Sequence, residues 1–176
     1  GTKANTPTID SLAMNGITFQ NFWTNPTCAP TRASMLTGKY AFRNGVGGVQ
    51  VPQQATLQTN ETIIQHQIGD RYSSAVIGKW HVSSSSQLDA PENFGVDFYS
   101  GIFLGAARSY YSWTQTSSGM QQNITNYTTS HFVDQSVNWI QQQTTPFFLW
   151  LAFNAPHTPF HRPPLDLISD QSLVDN

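Results

Sequence analysis

Residues 147–153 read FFLWLAF, an uninterrupted apolar run that begins directly after Pro146. A continuous apolar run of this length is typical of a central strand in a sheet that is covered on both faces. A second, shorter run of the same kind, SAVI, occupies residues 74–77. Segments with helical spacing precede both runs, and helices that alternate with apolar strands indicate an α/β sheet with helices on both faces.

Helix signals occupy much of the remaining chain. A proline in the first turn and a glycine just after the last turn mark the ends of helices. By these signals and by apolar spacing, helices are predicted over residues 7–15, 33–37, 63–68 and about 127–143, the last with Phe132, Val133, Val137 and Ile140 facing inward. Residues 17–23 favour a strand that runs toward Cys28. Residues 83–121, rich in Ser, Gly and aromatic residues, are interpreted as a long, irregular insertion.

The composition excludes several classes of protein. Charged residues make up only 10% of the chain, the formal net charge is −2, and no Lys/Arg cluster occurs. A nucleic-acid-binding or anionic-membrane surface would need such a cluster, and no apolar stretch approaches the roughly 18 residues of a membrane span. The single cysteine excludes an internal disulfide. A neutral surface rich in hydroxyl and amide side chains suits a secreted or carbohydrate-facing protein. The expected location is periplasmic, secreted or lysosome-like.

The single cysteine, Cys28, lies where a reactive group would be expected. It is at or just before the N-terminus of the helix that starts near Pro30, and Arg32 follows one turn later. A helix dipole and a guanidinium both lower the pKa of a thiol and favour an anion. Two interpretations stay open on the residues alone. Cys28 could be a small buried apolar residue, or the nucleophile of a cysteine hydrolase with His81 or His157 as the base, although neither histidine has an obvious orienting partner.

Three further polar side chains follow the two predicted strands. Lys79 and His81 come just after residues 74–77, and His157 follows residues 147–153. Because ligands gather outside the carboxyl ends of strands in such sheets, a site is predicted there. Taken singly, Lys79 and His81 also fit ordinary loop residues, and His157 fits a rigid proline-rich turn.

The remaining histidines have less distinctive settings. His161 and Arg162 follow the turn at His157 and are candidates for the mouth of the same site. His66 and His131 lie within predicted helices, where we expect surface or packing roles.

Four segments resemble the motifs of one enzyme family, in the same order along the chain. Residues 28–38 read CAPTRASMLTG, which is similar to the C-x-P-S/T-R signature and L-T-G turn of type I, formylglycine-dependent sulfatases of the alkaline phosphatase superfamily. The segments TPTIDSLA, GKWH and PFFLWLAFNAPHTP at residues 6–13, 78–81 and 146–159 resemble the family's TPNIDRLA, GKWHLG and PFFLYLAYNAPHTP. Together they span the chain from end to end and are far more specific than any one motif.

The resemblance implies a chemistry different from that of a thiolate. In this family the motif cysteine is oxidised to formylglycine, whose hydrate, a gem-diol, attacks the sulfur of a sulfate ester. By resemblance, Cys28 supplies this nucleophile and a metal ligand, Arg32 holds it, and Lys79 binds a sulfate oxygen. His81 would bind the nucleophile or the sulfate, and His157 would contact sulfate and help to protonate the departing oxygen. A formylglycine-generating or equivalent maturation enzyme and a Ca²⁺ (or Mg²⁺) ion are implied as well.

The resemblance also implies an alkaline-phosphatase-like fold, with a mixed, mostly parallel sheet that is sandwiched by helices and incomplete in this chain. The family has an Asp-Asp pair after its first strand and an Asp-Asn pair near a second lysine. No Asp-Asp pair occurs in residues 1–176, and Asp175-Asn176 is interpreted as a coincidental match because no apolar strand precedes it. We therefore expect residues 1–176 to be the N-terminal portion of a sulfatase catalytic domain, with the other metal ligands outside this chain. In isolation, these residues would not hold calcium tightly and would not be a complete enzyme.

The expected function is hydrolysis of the sulfate ester of a carbohydrate or an aryl alcohol. A phosphonate monoester or phosphodiester hydrolase stays open, because relatives with that activity share the cysteine motif. A non-catalytic paralogue that binds sulfated glycans is a third possibility, and it predicts an unmodified thiol at Cys28. Nucleic acid is not expected as a partner.

Overall fold

The computed structural model describes residues 5–49 and 56–168, which are built around one five-stranded sheet. The strands are β1 (Ser73–Gly78), β2 (Phe98–Gly101), β3 (Trp113–Ser117), β4 (Met120–Ile124) and β5 (Phe147–Ala152). They lie in the order β4-β3-β2-β1-β5; β1 is parallel to β2 and β5, and β3 is antiparallel to β2 and β4. The predicted mixed α/β sheet is confirmed, and it contains both predicted apolar strands.

All four predicted helices are present. The helices are α1 (Pro7–Asn15), α2 (Cys28–Thr37), α3 (Ala41–Asn44), α4 (Ile64–Ile68), α5 (Ala90–Asn93) and α6 (Thr128–Gln141). Single 3₁₀ turns occupy Gly69–Arg71 and Leu165–Leu167. α2 begins at Cys28 and ends where Gly38, at φ 65°, donates its N–H to the carbonyl of Ser34 at 2.9 Å. None of the helices in the described ranges is long and apolar enough to cross a membrane.

Apolar side chains cover the sheet on both faces. Val76 of β1 and Tyr99 of β2 belong to a core that includes Leu36 of α2. Ile77, the next residue of β1, belongs to a second core together with Phe132 of α6. Successive strand residues point to opposite faces of a sheet, so these two neighbours fill different cores. The β1 strand is thereby fixed between α2 and α6, and its carboxyl end is held at the level where α2 begins.

Only part of the predicted inner face of α6 is buried. Phe132 is fully buried, whereas Val133, Val137 and Ile140 are 40%, 45% and 37% exposed. The buried stripe continues from Phe132 at four-residue intervals through small polar residues. The expectation for the other three apolar residues was wrong, because they lie beside this stripe and no described element covers them.

Residues 17–23 do not form the predicted strand. Phe22 and Trp23 are 68% and 88% exposed and lie beside Met35 of α2. A strand needs a neighbour that completes its main-chain hydrogen bonds, and no described strand pairs with this segment. β5, which was expected at the centre, forms one edge of the described sheet.

Residues 83–121 were interpreted as an irregular insertion, and the structure shows that they are irregular only in part. This range contains α5, β2 and β3, and β2 pairs with the middle of β1. Its aromatic residues Phe94, Tyr99 and Phe103 are buried in the first core. Burial of these rings stabilises the ordered structure, whereas the intervening Gly and Ser residues conceal its periodicity in the sequence.

Candidate active site

Cys28, Lys79 and His81 meet at the carboxyl end of β1. The Sγ atom of Cys28 lies 3.3 Å from Nδ1 of His81, and the Lys79 ammonium is near enough to Cys28 to interact with it electrostatically. Cys28 is the first residue of α2 and is partly exposed, whereas Lys79 and His81 are only 5% and 6% exposed. The structure brings these three side chains together, and a partly exposed sulfur faces two buried nitrogen-bearing groups.

Main-chain contacts hold residues 79–81 from both sides. The N–H of Lys79 donates to the carbonyl of Ala152 at 2.8 Å, and the N–H of His81 donates to the carbonyl of Phe103 at 3.0 Å. The chain leaves β1 through Gly78 at φ 111°, where a Cβ would lie 2.1 Å from the Ala152 oxygen. Only glycine fits this position without a shift of the backbone. This role of Gly78 is not apparent from the sequence, because a close approach between two strands is not visible in a single sequence.

Arg32 fixes the main chain beneath these side chains. Its Nε donates to the carbonyl of Trp80 at 2.7 Å, and its Nη2 donates to the carbonyl of Lys79. The guanidinium also lies over the ring of Trp150, 4.5 Å from the ring centroid. Burial lowers the pKa of Arg32 to about 10, against the opposing influence of Tyr99 and Cys28. Arg32 therefore stays charged at neutral pH and serves this site through the backbone as well as through its charge.

The site concentrates positive charge around neutral imidazole. Burial lowers the pKa of Lys79, and the nearby Cys28 opposes that shift. The pKa of His81 falls to about 4, first because the ring is buried and then because the charges of Lys79, Arg32 and His157 disfavour a further cation. At neutral pH the His81 ring is therefore uncharged and one of its nitrogens can accept a hydrogen bond. Such a site favours an anion next to Cys28.

His157 lies after β5, as expected, and its ring is exposed. Its Nδ1 is 2.9 Å from the carbonyl oxygen of Thr158, so an N–H at Nδ1 donates to that carbonyl and Nε2 is left outside this contact. The main-chain carbonyl of His157 accepts a hydrogen bond from the hydroxyl of Tyr110 at 2.7 Å. His157 influences the charge of His81, but no direct contact with Cys28 is found among the described residues. Tyr110 was not singled out from the sequence.

His161 belongs to an aromatic cluster. Its ring stacks on Tyr110 with the centroids 3.6 Å apart, and its Nε2 is 3.0 Å from the hydroxyl of Tyr127. Arg162 is tied to the same cluster, because its carbonyl accepts a hydrogen bond from Tyr111. These contacts brace the turn that carries His157. The packing role expected for His131 is found as well, since its ring meets the ring of Trp113 edge to face at 5.2 Å.

Asn154, like Gly78 and Tyr110, was not singled out from the sequence. It comes just after β5, is only 4% exposed, and neither atom of its side-chain amide has a hydrogen-bond partner among the described residues. Buried amides are normally hydrogen-bonded. A polar residue that follows an apolar strand was the available signal.

The described residues do not form a calcium site by themselves. Calcium takes six to eight oxygen ligands, whereas the neighbours of Cys28 are the nitrogen-bearing groups of Lys79, His81 and Arg32. Within the described ranges, no group of three or more His, Cys, Asp or Glu side chains is arranged to hold a metal. The donor set fits an anion, and no metal-dependent step follows from it.

The sequence is similar to known sulfatases. The family model described as Sulfatase matches residues 1–167. Arylsulfatase J of Mus musculus is 26% identical over 93% of this chain and 30% of its own length. N-acetylgalactosamine-6-sulfatase of Homo sapiens is 27% identical over 89% of this chain and 35% of its own length. The chain thus spans about a third of the length of these relatives.

Solved structures extend the similarity to the fold. A structure of BT4656 in complex with D-glucosamine-2-N,6-O-disulfate is 29% identical, covers 87% of this chain and 30% of its own, and superposes with a TM-score of 0.68. A structure of Ps i-CgsB in complex with k-i-k-neocarrahexaose is 25% identical, covers 77% of this chain and 36% of its own, and gives a TM-score of 0.69. The expected alkaline-phosphatase-like fold is confirmed in part of its extent. The family model matches residues 1–167, and the order of elements and the cysteine at the start of α2 agree with it. The chain therefore belongs to the sulfatase family.

Proposed function

We propose that the protein carrying this chain is a sulfuric ester hydrolase with Cys28 as the precursor of its nucleophile. The observation that carries the proposal is the contact between Cys28, at the first position of α2, and His81, with Lys79 beside them. The same three residues lie in the segments that resemble the family's motifs. Formylglycine derived from Cys28 would supply an electrophilic aldehyde whose hydrate is the nucleophile.

The surrounding residues are suited to hold a sulfate ester. Lys79 provides a positive charge next to Cys28, and no side chain caps the start of α2. The N–H groups of the first helical turn are therefore available to an anion, and the helix dipole adds to the attraction. Arg32 stabilises the path of residues 79–80 and keeps a second positive charge close by.

The two histidines are proposed to act on opposite sides of the substrate, His81 at the nucleophile and His157 at the departing oxygen. His81 touches the side chain of Cys28, and its neutral ring can orient the nucleophile through a hydrogen bond. His157 keeps its Nε2 free of the contact that occupies Nδ1. In its protonated form, His157 would donate from Nε2 to the departing alcohol oxygen. These roles for Cys28, Arg32, Lys79, His81 and His157 are proposals.

The proposed substrate is a sulfated carbohydrate or an aryl sulfate. The two solved structures named above contain saccharides, and this supports the carbohydrate class. A phosphodiester or phosphonate monoester carries a single negative charge like a sulfate ester, so it would also be attracted to Lys79. Turnover of an aryl sulfate should exceed turnover of matched aryl phosphonate and phosphodiester esters, and the opposite preference would overturn the sulfatase assignment.

Peptide mass spectrometry across Cys28 tests the mechanism directly. Protein from the native host should contain formylglycine or its hydrate at this position, produced by a formylglycine-generating or equivalent maturation enzyme. A fully alkylatable thiol there would overturn the mechanism and favour a non-catalytic protein that binds sulfated glycans. Cys28→Ala should abolish turnover and leave the circular dichroism spectrum unchanged.

Two further expectations depend on residues outside this chain. We propose that residues 1–176 are the N-terminal portion of a catalytic domain, so the intact source protein should have a mass well above 19.6 kDa. Calcium or magnesium binding would then need oxygen ligands from the rest of that protein in addition to the group derived from Cys28. We propose a secreted, periplasmic or lysosome-like location, which fractionation of host cells would test.

A further inference from the structure

A polar cavity lies on the hairpin of β3 and β4, next to the segment that follows β2. Its volume is about 570 Å³. Hydroxyl and amide side chains of the hairpin form part of its lining, Phe103 and Leu104 form another part, and Arg108 contributes a guanidinium. The hairpin residues concerned are Thr114, Thr116, Gln121 and Asn123. None of them belongs to the site around Cys28.

The pairing of the two strands explains why these polar groups share one face. Thr114 pairs with Asn123, and Thr116 pairs with Gln121. Directly paired residues of antiparallel strands point to the same side of a sheet, so all four lie on one face. Trp113 belongs to the core beneath α6, and alternation along β3 therefore places Thr114 and Thr116 on the face away from α6. Gln121 donates from Nε2 to Oγ1 of Thr116 at 3.2 Å.

The segment that bounds this cavity also positions His81. The carbonyl of Phe103, a lining residue, accepts the N–H of His81. Two residues later, Gly105 lies against the imidazole, where a Cβ would be 2.6 Å from Cε1 of His81. Within residues 102–108, Phe103 and Gly105 therefore contact His81, and Leu104 and Arg108 line the cavity.

Arg108 is the charged group of the cavity, and within residues 5–49 and 56–168 its guanidinium has no ion-pair partner. The side chain is exposed, and no carboxylate or hydrogen-bond acceptor of the described residues pairs with its guanidinium. A guanidinium binds carboxylate and sulfate oxygens through parallel hydrogen bonds. The hydroxyl and amide groups of the hairpin match the alternating donors and acceptors of sugar hydroxyls.

We propose that this cavity binds the saccharide part of the substrate beyond the reacting sulfate ester, with a second anionic group of that saccharide at Arg108. The inference rests on the proposed function, because it places the reacting ester at Cys28. Sugar hydroxyls bind Thr114, Gln121 and Asn123, and the exposed side chain of Leu104 contacts the apolar face of a ring. The second anion is a sulfate or a carboxylate, since both match a guanidinium.

Kinetics with substrates of different size test the proposal in the intact native protein. The probes are an aryl sulfate, D-glucosamine 6-sulfate, D-glucosamine-2-N,6-O-disulfate, and one sulfated disaccharide with and one without a uronate carboxylate. Arg108→Gln should raise KM roughly 10- to 100-fold for a probe with a second anion, because a hydrogen bond between charged groups is lost. The kcat for that probe, and both constants for the aryl sulfate, should stay unchanged. The disulfate and the uronate probes show which anion Arg108 prefers.

A matched control and a binding measurement complete the test. Arg43→Gln removes an exposed arginine of α3, away from the cavity, and should change none of these constants. Equal effects of Arg108→Gln on the aryl sulfate and the charged saccharides, or no effect on any probe, would overturn the proposal. If the native protein hydrolyses none of these sulfate esters, the proposed function fails. Calorimetry with Cys28→Ala then decides on the cavity alone: saturable saccharide binding that weakens in Cys28→Ala/Arg108→Gln supports the site, and its absence refutes it.

Discussion

The Arg32 guanidinium combines a charge with a rigid geometry, and the two can be separated by substitution. It donates to the carbonyls of Lys79 and Trp80 and stacks on Trp150. Arg32→Lys keeps the charge but loses the planar pair of hydrogen bonds. We expect kcat for an aryl sulfate to fall roughly 100-fold or more, because residues 79–81 shift relative to Cys28.

Arg32→Ala and a structural readout complete that prediction. The kcat of the alanine variant should be no more than about ten-fold below that of Arg32→Lys, because the geometry of the guanidinium contributes more than its charge. Circular dichroism checks that both variants fold. A lysine variant with more than half of the native kcat would show that a positive charge at this position is sufficient.

Gly78 is required by the close approach of β1 to Ala152. Its φ is 111°, and a Cβ there would lie 2.1 Å from a carbonyl oxygen. Gly78→Ala should therefore destabilise the protein by about 2–5 kcal/mol, the range of substitutions that strain a buried backbone. Gly47→Ala is the matched control, because nothing lies within 4 Å of its Cβ. The melting temperatures of the two variants should differ clearly, and equal values would contradict the steric argument.

His131 gives a pH dependence whose sign follows from burial. Burial lowers the pKa of His131, while the charge of Asp134 opposes the shift. Below the unfolded-state pKa of about 6.5, the unfolded chain therefore binds more protons than the native protein. The free energy of unfolding consequently decreases as the pH decreases. His131→Phe keeps the aromatic contact with Trp113 and should make this loss shallower. Urea midpoints between pH 7.5 and 5 measure the difference, and parallel curves for both proteins would contradict it.

At the scale of the element, α6 shows what apolar spacing does and does not determine. Its position and approximate ends were predicted from spacing and from Pro146, and Phe132 was correctly placed in the core. The spacing did not show that the buried stripe would be narrow, because the width of the stripe depends on which elements pack over the helix. For the same reason, Phe22 and Trp23 have the composition of a strand but no strand beside them.

This difference within α6 predicts unequal effects of two adjacent substitutions. Phe132 is fully buried and Val133 is 40% exposed. Phe132→Ala should lower the free energy of unfolding by about 3–5 kcal/mol through lost burial and the resulting cavity. Val133→Ala should change it by less than about 1 kcal/mol. Urea denaturation compares the two, and a larger effect at Val133 would contradict the observed orientation of α6.

At the scale of the molecule, the site was more predictable than the sheet that supports it. Cys28, Lys79 and His81 belong to short motifs, and the end of a strand or the start of a helix places each of them by local signals. Gly78 and Tyr110 act through contacts between distant segments, which periodicity does not report. The hairpin of β3 and β4 was missed because its polar face carries Thr, Gln and Asn, a composition that is also typical of loops.

The exposed apolar residues of the described structure predict how residues 1–176 would behave alone. Ile17, Phe19, Phe22 and Trp23 are each at least 68% exposed within seven residues, and β5 forms an edge of the described sheet. Contiguous apolar surface and open strand edges favour association. Residues 1–176, expressed as such, should therefore elute as oligomers in size-exclusion chromatography with light scattering. The double variant Phe22→Ser/Trp23→Ser should shift the population toward monomer, whereas Met120→Ser, an isolated exposed residue on β4, should not. A monomeric wild-type chain at micromolar concentration would show that this surface is not sufficient for association.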